Sequence, residues 1–406
     1  MNSNVALILF TVSAGLLFYV YLGFPILLWV WSRGRKRPAP QLTEEPMVSM
    51  IVAAFNEEKA IALKLENCAE LNYPPDRVEF LIGSDASTDR TDRIVQASPD
   101  RRVKFFRFSP RSGKLGVLAQ LTPHALGEIL VFSDANSMYV PDAIRKLVRH
   151  FIDPRVGGVC GELRLEHTDG STAESGEGLY WRYEIALKTM ESAIHSCLGA
   201  NGGIYALRRS LYRPIIGIEE LRRRAFAINL ADDLLMPVPA MEQGYRILYE
   251  PEAIAFEDAP TKMQTQFRRK VKIASADFRS LAYFWRLLLP WRGTVALFWW
   301  SHKVLRWFAP LLLVTLLVAN ILLIGLHPVF VVLVIAQLLL YGTALLGWVS
   351  ETVFGKTIRL FKVPYYFAAL NLSLAIGFFQ AFRPKRTHAF QRTDREDVPP
   401  SPGQHS

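Results

Sequence analysis

The uneven distribution of apolar residues is the feature that most constrains this chain. Residues 4–32 are almost wholly apolar, and apolar residues accumulate again after Leu287. The first run is longer than the roughly 20 residues that span a bilayer. Because no Lys or Arg precedes it and no small-residue cleavage site follows it, we interpret residues 1–34 as a retained transmembrane segment rather than a signal peptide.

Basic residues adjoin the apolar runs. Arg33-Gly-Arg-Lys-Arg37 follows the first run directly, which by the positive-inside rule places the next domain in the cytoplasm. Residues 261–303 mix basic and aromatic side chains, as is typical of a segment that lies on the membrane surface. Residues 304–385 are predicted to hold further transmembrane helices, with apolar runs at 304–326, 328–349 and 363–382, and residues 386–406 form a polar tail.

The number of spans stays open at this point. One N-terminal span and three C-terminal spans would place the basic tail outside the cell, against the positive-inside rule. Either one run does not cross fully or the tail breaks the rule. Residues 298–307, which contain His302, Lys303 and Arg306, are where the count is least certain. A multi-pass protein of the inner or plasma membrane is predicted in either case.

The net charge and the cysteines narrow the possible partners. A formal net charge of +10 would suit nucleic acid, but the basic residues lie beside the apolar runs. Membrane lipids are therefore the expected counter-charge, and nucleic-acid binding is disfavoured. Cys68, Cys160 and Cys197 have no metal-ligand spacing and are expected to be reduced thiols in the cytosol.

Residues 45–260 alternate between strand-like runs, polar loops and helical patterns. The predicted strands are 47–54, 80–83, 103–108 and 129–132. This alternation predicts an α/β domain with a mostly parallel sheet and helices on its faces. In such sheets ligands bind where the strands end.

Charged residues follow several of these strands. Asp134-Ala-Asn136 ends the fourth strand, and Asp85 and Lys114 lie on neighbouring loops. A carboxylate with an amide oxygen two residues on suits a divalent cation that also holds phosphate oxygens. An ordinary turn opened by Asp is the alternative. Both interpretations remain open from these residues alone.

Two later segments carry further candidates. The predicted helix 176–196 has one apolar stripe, which includes Leu179 and Leu187 and is interpreted as core. Trp181 and Glu184 lie on its other faces, where a salt-bridged solvent face is the alternative. The adjacent acids Asp232 and Asp233 either cap a helix or form a pair in which one acid has a raised pKa and acts as a base. Arg222-Arg-Arg224 is interpreted as a solvated loop.

Taken together, these motifs resemble family 2 glycosyltransferases with a GT-A fold, especially the membrane-anchored branch that includes polysaccharide synthases. The resemblance runs from about residue 48 to 273. It implies transfer of a sugar from a nucleotide sugar, expected to be UDP-linked, to a lipid or glycan acceptor in polysaccharide or glycolipid synthesis. It also implies Mg²⁺ or Mn²⁺ as the cofactor.

The resemblance assigns roles to individual residues. Asp233 matches the catalytic base and stands beside Asp232, while Asp134 and Asn136 match the metal-binding motif. Arg269 to Lys272 occupy the place of a motif that contacts the diphosphate and the acceptor, a region to which Trp181 and Glu184 are also assigned. The expected donor-nucleotide residues are Phe55, Asn56, Glu57, Asp85, Lys114 and Asp134.

Two departures from the family pattern stand out. Asn136 replaces a second Asp, which lowers the negative charge and is expected to weaken metal binding. Lys272 and Ile273 stand where the motif has Arg and Trp. The aromatic residue that stacks on the acceptor's terminal sugar in processive synthases is therefore missing. Processive synthesis is disfavoured, and whether one sugar or many are added stays open.

The chemistry of the reaction agrees with these roles. A diphosphate leaving group needs positive charge, and the attacking hydroxyl needs a carboxylate to accept its proton. Direct displacement assisted by one carboxylate inverts the anomeric carbon. The alternative function is a membrane-bound scaffold that binds nucleotide sugars with little turnover. A transporter is disfavoured because the apolar runs hold few charges.

Overall fold

The computed structural model describes residues 3–35, 40–42, 44–166, 176–215, 217, 230–258, 263–354 and 358–383. Arg222 to Arg224 and the tail 386–406 lie outside the described residues. Within the described ranges, eight strands form one sheet. They are β1 (Val48–Ala54), β2 (Val78–Asp85), β3 (Val103–Phe108), β4 (Ile129–Asp134), β5 (Met138–Tyr139), β6 (Val156–Glu166), β7 (Tyr205–Arg208) and β8 (Arg246–Asp258).

The sheet has the order β3-β2-β1-β4-β7-β6-β8-β5. The first four strands in this order are parallel, as predicted, because helical crossovers connect them. The other half is mixed: β7 runs antiparallel to β4 and β6, and β5 runs antiparallel to β8, while β6 and β8 are parallel. The α/β fold is confirmed, and the sheet as a whole is mixed rather than mostly parallel.

Two hydrophobic cores lie on opposite faces of the sheet. Along β1, Met50 and Val52 belong to one core and Ile51 to the other, since successive side chains of a strand point to opposite faces. All eight residues of β2 are buried, as in a strand covered on both faces. The helices of this domain are α3 (Ile61–Glu70), α4 (Thr91–Gln96), α5 (Gly113–Leu121), α6 (Ala143–Val148), α7 (Gly176–Ile194), α8 (Asp232–Leu235) and α9 (Val238–Glu242).

Long apolar helices flank this domain. The helices α1 (Ser3–Phe18) and α2 (Phe24–Ser32) are joined by a π-helical turn into one helix of 30 residues. The amphipathic α10 (Met263–Phe284) leads to α11 (Thr294–Phe298), α12 (Leu305–Trp307), α13 (Ala309–Leu322), α14 (Pro328–Phe354) and α15 (Arg359–Phe382). Helix α1 packs against α13, and α10 and α14 both pack against α15.

Three of these helices are long and apolar enough to cross a membrane: Ser3–Ser32, Pro328–Phe354 and Arg359–Phe382. The segments Thr294–Trp307 and Ala309–Leu322 would together make a fourth, but the chain bends by 61° between them. This bend coincides with residues 298–307, where the sequence left the number of spans open. Ile8, Val332 and Leu339 are each more than 60% exposed, an apolar surface that suits lipid better than water.

Candidate active site

The carboxyl ends of the parallel strands meet at one edge of the sheet. Ala53 of β1 pairs with Asp134 of β4, and Ala54 pairs with Ser84 of β2, so the polar residues after these strands lie side by side. An open cavity of about 590 Å³ lies at this edge. Every residue predicted from the sequence except Asn56 lines it, namely Phe55, Glu57, Asp85, Lys114, Asp134, Asn136, Trp181, Glu184, Asp232, Asp233, Arg269 and Lys272.

Lys114 connects two parts of this cavity. It lies in the first turn of α5, and its Nζ is 2.7 Å from Asp134 Oδ1 and 2.8 Å from Asp232 Oδ2. Burial lowers the pKa of Lys114, but the two carboxylates outweigh it and raise that pKa well above its usual range. A permanent positive charge therefore bridges the end of β4 and the start of α8.

Asp233 differs from its neighbour Asp232. Burial, reinforced by the charge of Asp232, raises the pKa of Asp233 to about 6, while Lys114 and Lys188 act against this rise. One of its oxygens accepts the backbone N–H of Leu234 at 2.9 Å. A carboxylate with such a pKa is ionised at neutral pH and can still accept a proton, as a general base must.

The carboxylate of Asp85 orders the loop that begins α5. It accepts the backbone N–H groups of Ser112 at 2.6 Å and Gly113 at 2.9 Å, and Arg111 Nε lies 3.3 Å away. Asp85 is only 3% exposed. Its observed contacts hold the turn that presents Lys114, and its contact with a uridine stays a prediction.

Arg111 is a cavity residue that the sequence did not single out. Its guanidinium lies 3.4 Å from the centroid of the Phe55 ring, stacked at the rim of the cavity. Stacked planes of this kind suit flat ligand groups. Its position on the polar loop after β3, three residues before Lys114, is the sequence feature that could have indicated a place in the cavity.

Asn56 is not brought to the cavity. It adopts a left-handed backbone conformation with φ of 54°, which Asn tolerates better than most residues. Its side-chain oxygen accepts the backbone N–H of Thr88 at 2.8 Å. Asn56 thus joins the loops after β1 and β2, while its neighbours Phe55 and Glu57 face the cavity.

The side chains at the end of β4 show whether a divalent cation could bind there. Asp134 and Asn136 both line the cavity, and the Asn136 Nδ2 atom is buried and makes no hydrogen bond within the described part of the chain. Among the described residues, no group of three or more His, Cys, Asp or Glu could hold a metal. A carboxylate and an amide suit Mg²⁺ or Mn²⁺ only when phosphate oxygens and water complete the shell.

The charged face of α7 is buried, contrary to the solvent-face alternative. Glu184, Lys188 and Glu191 are all less than 8% exposed. The apolar stripe is confirmed as core at Leu187, which is 1% exposed and belongs to one of the two cores, but Leu179 at its start is 49% exposed. The reason is tertiary, because α2 and α15 pack against α7. Trp181 is half-buried and donates its indole N–H to the carbonyl of Leu163 at 3.1 Å.

Glu184 lies at the centre of a buried ionic network. It pairs with Arg306, lies 3.5 Å from Lys303 Nζ and 3.2 Å from His302 Nε2. His302 Nδ1 is also 2.6 Å from Glu191 Oε1. Burial raises the pKa of Glu184, but Arg306 and Lys303 outweigh it and hold that pKa well below its usual range. The network joins α7 to the segment between α11 and α13.

One face of α10 forms another wall of the cavity. Among the residues of α10 that line the cavity, Gln266, Lys270, Ile273 and Asp277 are spaced four, three and four residues apart, and Arg269 lies next to Lys270. Asp277 was missed by the sequence analysis, since a lone acid in a basic helix carries no motif. Burial raises the pKa of Asp277 to about 7, with Lys303 acting against this rise.

The far end of the cavity reaches the apolar helices. Tyr21, Trp307, Leu370, Ser373 and Leu374 line this end. Tyr21 belongs to the 30-residue helix near the N-terminus, and the last three belong to α15. The cavity therefore extends from the strand ends to helices that are apolar enough to cross a membrane.

Comparison with known proteins identifies the domain that carries the strand-end residues. Residues 49–214 match the family model described as Glycosyl transferase family 2. These residues form a family 2 glycosyltransferase domain. The family predicted from the sequence motifs is thereby confirmed. Asp232, Asp233 and α10 lie beyond the matched residues of the glycosyltransferase domain but line the same cavity.

Curated relatives extend the same similarity. The chain is 26% identical over 267 residues to the "Probable glycosyltransferase YdaM" of Bacillus subtilis (strain 168), covering 61% of this chain and 60% of that protein. It is 31% identical over 191 residues to the "Beta-monoglucosyldiacylglycerol synthase" of Nostoc sp. (strain PCC 7120), covering 46% of this chain and 39% of that one. The chain thus spans less than two thirds of either relative.

A solved structure supports the fold of the whole chain. The mannosyltransferase PcManGT from Pyrobaculum calidifontis, determined in complex with GDP-Man and Mn²⁺, superposes with a TM-score of 0.68. The match covers 95% of this chain and 100% of PcManGT, at 24% sequence identity. At this identity the similarity establishes the fold, including the helices that flank the glycosyltransferase domain.

Proposed function

We propose that this protein transfers a sugar from a nucleoside diphosphate sugar to a lipid acceptor at a membrane, with inversion at the anomeric carbon. One observation carries the proposal. The cavity that holds Lys114, Asp134 and Asp233 at the strand ends continues without interruption to Tyr21 and Leu370 on the apolar helices. A charged donor and an apolar acceptor can therefore meet in it.

The donor end is suited to a diphosphate. Lys114 is held between two carboxylates, and Arg269 lines the cavity on α10. These cations would offset the negative charge that develops on the leaving diphosphate. The complex of PcManGT with GDP-Man supports a nucleotide sugar as donor. We expect a UDP-sugar, and the GDP-sugar bound by PcManGT extends the set to be tested.

Asp134 and Asn136 would hold a divalent cation together with the phosphate oxygens of the donor. The Mn²⁺ in PcManGT supports this assignment, with the side-chain oxygen of Asn136 as the ligand atom. The buried Asn136 Nδ2, which has no hydrogen-bond partner among the described residues, would donate to a phosphate oxygen. When bound, Mg²⁺ or Mn²⁺ would supply positive charge to the diphosphate. The remaining steps depend on side chains of the chain itself.

Asp233 is the proposed catalytic base. The acceptor hydroxyl attacks the anomeric carbon and its proton passes to the Asp233 carboxylate, while the bond from that carbon to the diphosphate oxygen breaks. The products are the glycosylated acceptor, the nucleoside diphosphate and a protonated Asp233. The ion pair of Asp232 with Lys114 and the raised pKa of Asp233 support this division of roles.

A lipid is favoured over a soluble glycan as the acceptor. Three of the residues at the far end of the cavity, Trp307, Leu370 and Leu374, have apolar side chains. The similarity to a protein named Beta-monoglucosyldiacylglycerol synthase also supports a lipid acceptor. Helices long and apolar enough to cross a membrane, with Arg33 and Arg35 directly after the first of them, support a multi-pass protein whose glycosyltransferase domain lies in the cytoplasm.

A screen for transfer tests this proposal. The full chain in nanodiscs of bacterial lipids is incubated with Mn²⁺ and a panel of UDP- and GDP-sugars, and the lipids are analysed by mass spectrometry. We expect one sugar to appear on a lipid. Asp233→Asn should lower the rate by about 100-fold or more because the base is lost. The matched Asp142→Asn variant, a change outside the cavity, should keep the wild-type rate.

Two results would contradict the proposal. Calorimetric binding of a nucleotide sugar without transfer to any lipid or glycan would favour the scaffold function. Sugar found only on a water-soluble glycan would refute the lipid acceptor while leaving the transferase activity intact.

A further inference from the structure

Lys64 lies beneath the loop that carries Asp134 and Asn136. It belongs to α3 and is 0% exposed. Its ammonium donates to Ser133 Oγ at 2.8 Å and to the carbonyl oxygen of Ser137 at 2.6 Å. Lys64 thus contacts the residue directly before Asp134 and the residue directly after Asn136.

Helix α3 also contacts the chain just beyond this loop, at Tyr139. The side-chain amide of Asn67 exchanges two hydrogen bonds of 2.8 Å with the backbone of Tyr139, and the Lys64 ammonium lies 4.4 Å from the centroid of the Tyr139 ring. Ser137 Oγ is also hydrogen-bonded to Glu257, which lines the cavity. The loop is therefore fixed on its protein side by α3 and β8.

A lysine amine at this depth needs an explanation. Burying a lysine is unfavourable unless its ammonium is hydrogen-bonded, and an apolar side chain would fill the same space at lower cost. Both protein hydrogen bonds of Lys64 go to the loop that presents the two oxygen ligands expected for the cation. Packing alone therefore does not account for a lysine at this position.

We propose that Lys64 is a positioning residue for the cation–diphosphate site, setting the separation and direction of the Asp134 and Asn136 side chains. The inference rests on the proposed function, because it assigns Lys64 to the site that binds the donor. Lys64 does not itself reach the cavity. It acts through Ser133 and Ser137, as residues behind metal ligands commonly do.

Lys64→Met tests this role, since Met keeps the length and apolar stem of the side chain but donates no hydrogen bond. Calorimetry on the full-length protein in detergent measures the Kd of Mn²⁺ in the presence of saturating UDP or GDP, whichever the wild type binds. We expect Lys64→Met to weaken binding about 10- to 100-fold. In the transfer assay the Mn²⁺ concentration for half-maximal rate should rise by a similar factor.

Two further variants separate positioning from folding. Lys64→Gln retains a hydrogen-bonding NH2 group, and the affinity of this variant for Mn²⁺ should lie between those of Lys64→Met and the wild type. It also supplies the measurement if Lys64→Met does not fold. Glu79→Gln alters another buried charge of the same domain, at the amino end of the sheet beside Ser49 and Lys104. It should lower Tm without changing the Kd of Mn²⁺.

The outcomes are distinguishable. If Lys64→Met and Lys64→Gln bind Mn²⁺ with the wild-type Kd and lose only Tm, as Glu79→Gln does, Lys64 is a structural residue and the inference is overturned. If the wild type binds no Mn²⁺ with either nucleotide and transfers no sugar, both the proposed function and the inference about Lys64 are refuted.

Discussion

Two walls of the cavity carry charged side chains, but in different arrangements. The sheet wall contains Asp85, Lys114 and Asp134 near the strand ends, and the helical wall contains Glu184 of α7 with Lys303 and Arg306. On the sheet wall, Asp85 and Lys114 follow neighbouring strands, and most of their partners lie within 30 residues along the chain. The exception is the ion pair of Lys114 with Asp232, which is 118 residues away. On the helical wall, Glu184 is held by Arg306, which lies 122 residues away. The sheet wall therefore arranges charge for a ligand, whereas the helical wall uses charge to join the glycosyltransferase domain to the apolar helices.

This difference predicts different consequences of mutation. A change on the helical wall should lower the stability of the whole protein more than it lowers the rate of sugar transfer. A change on the sheet wall should do the opposite. The first two of the following experiments measure both the stability and the rate, so that either quantity can contradict the distinction.

The largest effect is expected from Glu184→Gln. It leaves the buried Arg306 and the partly buried Lys303 without their carboxylate, and removing one partner of a buried ion pair costs about 3–5 kcal/mol. The thermal unfolding midpoint in nanodiscs should fall sharply, whereas the rate per folded molecule at a permissive temperature should change little. Glu66→Gln, on the exposed face of α3, is the matched control. An unchanged midpoint would show that the network does not hold the two parts together.

Lys114→Met should affect mainly the reaction. It removes the positive charge between Asp134 and Asp232, and the loss of one group that stabilises developing charge lowers kcat by about 100- to 1000-fold. Lys146→Met is a fair comparison, because Lys146 is similarly exposed and pairs with Asp142 outside the cavity. If Lys114→Met lowered the unfolding midpoint as much as Glu184→Gln with little loss of rate, the two walls would not differ as described.

The smallest effect is expected from pH. Asp233 must be ionised to accept a proton, and its pKa is raised to about 6 by burial and by Asp232, against Lys114 and Lys188. The rate should therefore be constant above about pH 7 and fall as the pH drops through 6, reaching about one tenth at pH 5. Measurement of kcat/KM between pH 5 and 8 checks this. A profile that stays flat down to pH 5 would contradict Asp233 as the base.

The sheet wall could be predicted from the sequence because local patterns determine it. An apolar run that ends in Asp85 or Asp134 indicates both a strand and the place where it stops. Parallel pairing then brings these ends together, as the register of β1 with β2 and β4 shows. Asn56 departs from this rule because its backbone turns into the left-handed region and directs its side chain to Thr88.

The helical wall could not be predicted in the same way. Whether Glu184 and Glu191 face solvent or the interior depends on His302 and Arg306, which follow more than 100 residues later. Helical periodicity in α7 correctly placed Leu187 in the core but not Leu179, and it could not show that the charged face is buried as well. Asp277 had no motif, and Lys64 resembled any lysine of an amphipathic helix until its contacts were known.

The most direct test of the account is whether an obstruction on the apolar side of the cavity stops transfer. Leu370→Trp places a larger side chain on the cavity-lining face of α15, and Leu372→Trp places the same side chain on its exposed face. For Leu370→Trp we predict loss of sugar transfer to lipid with an unchanged Kd for Mn²⁺ and the nucleotide, whereas Leu372→Trp should behave as the wild type. Full transfer by a folded Leu370→Trp variant would show that the acceptor does not reach Asp233 through this end of the cavity, and would contradict the central claim.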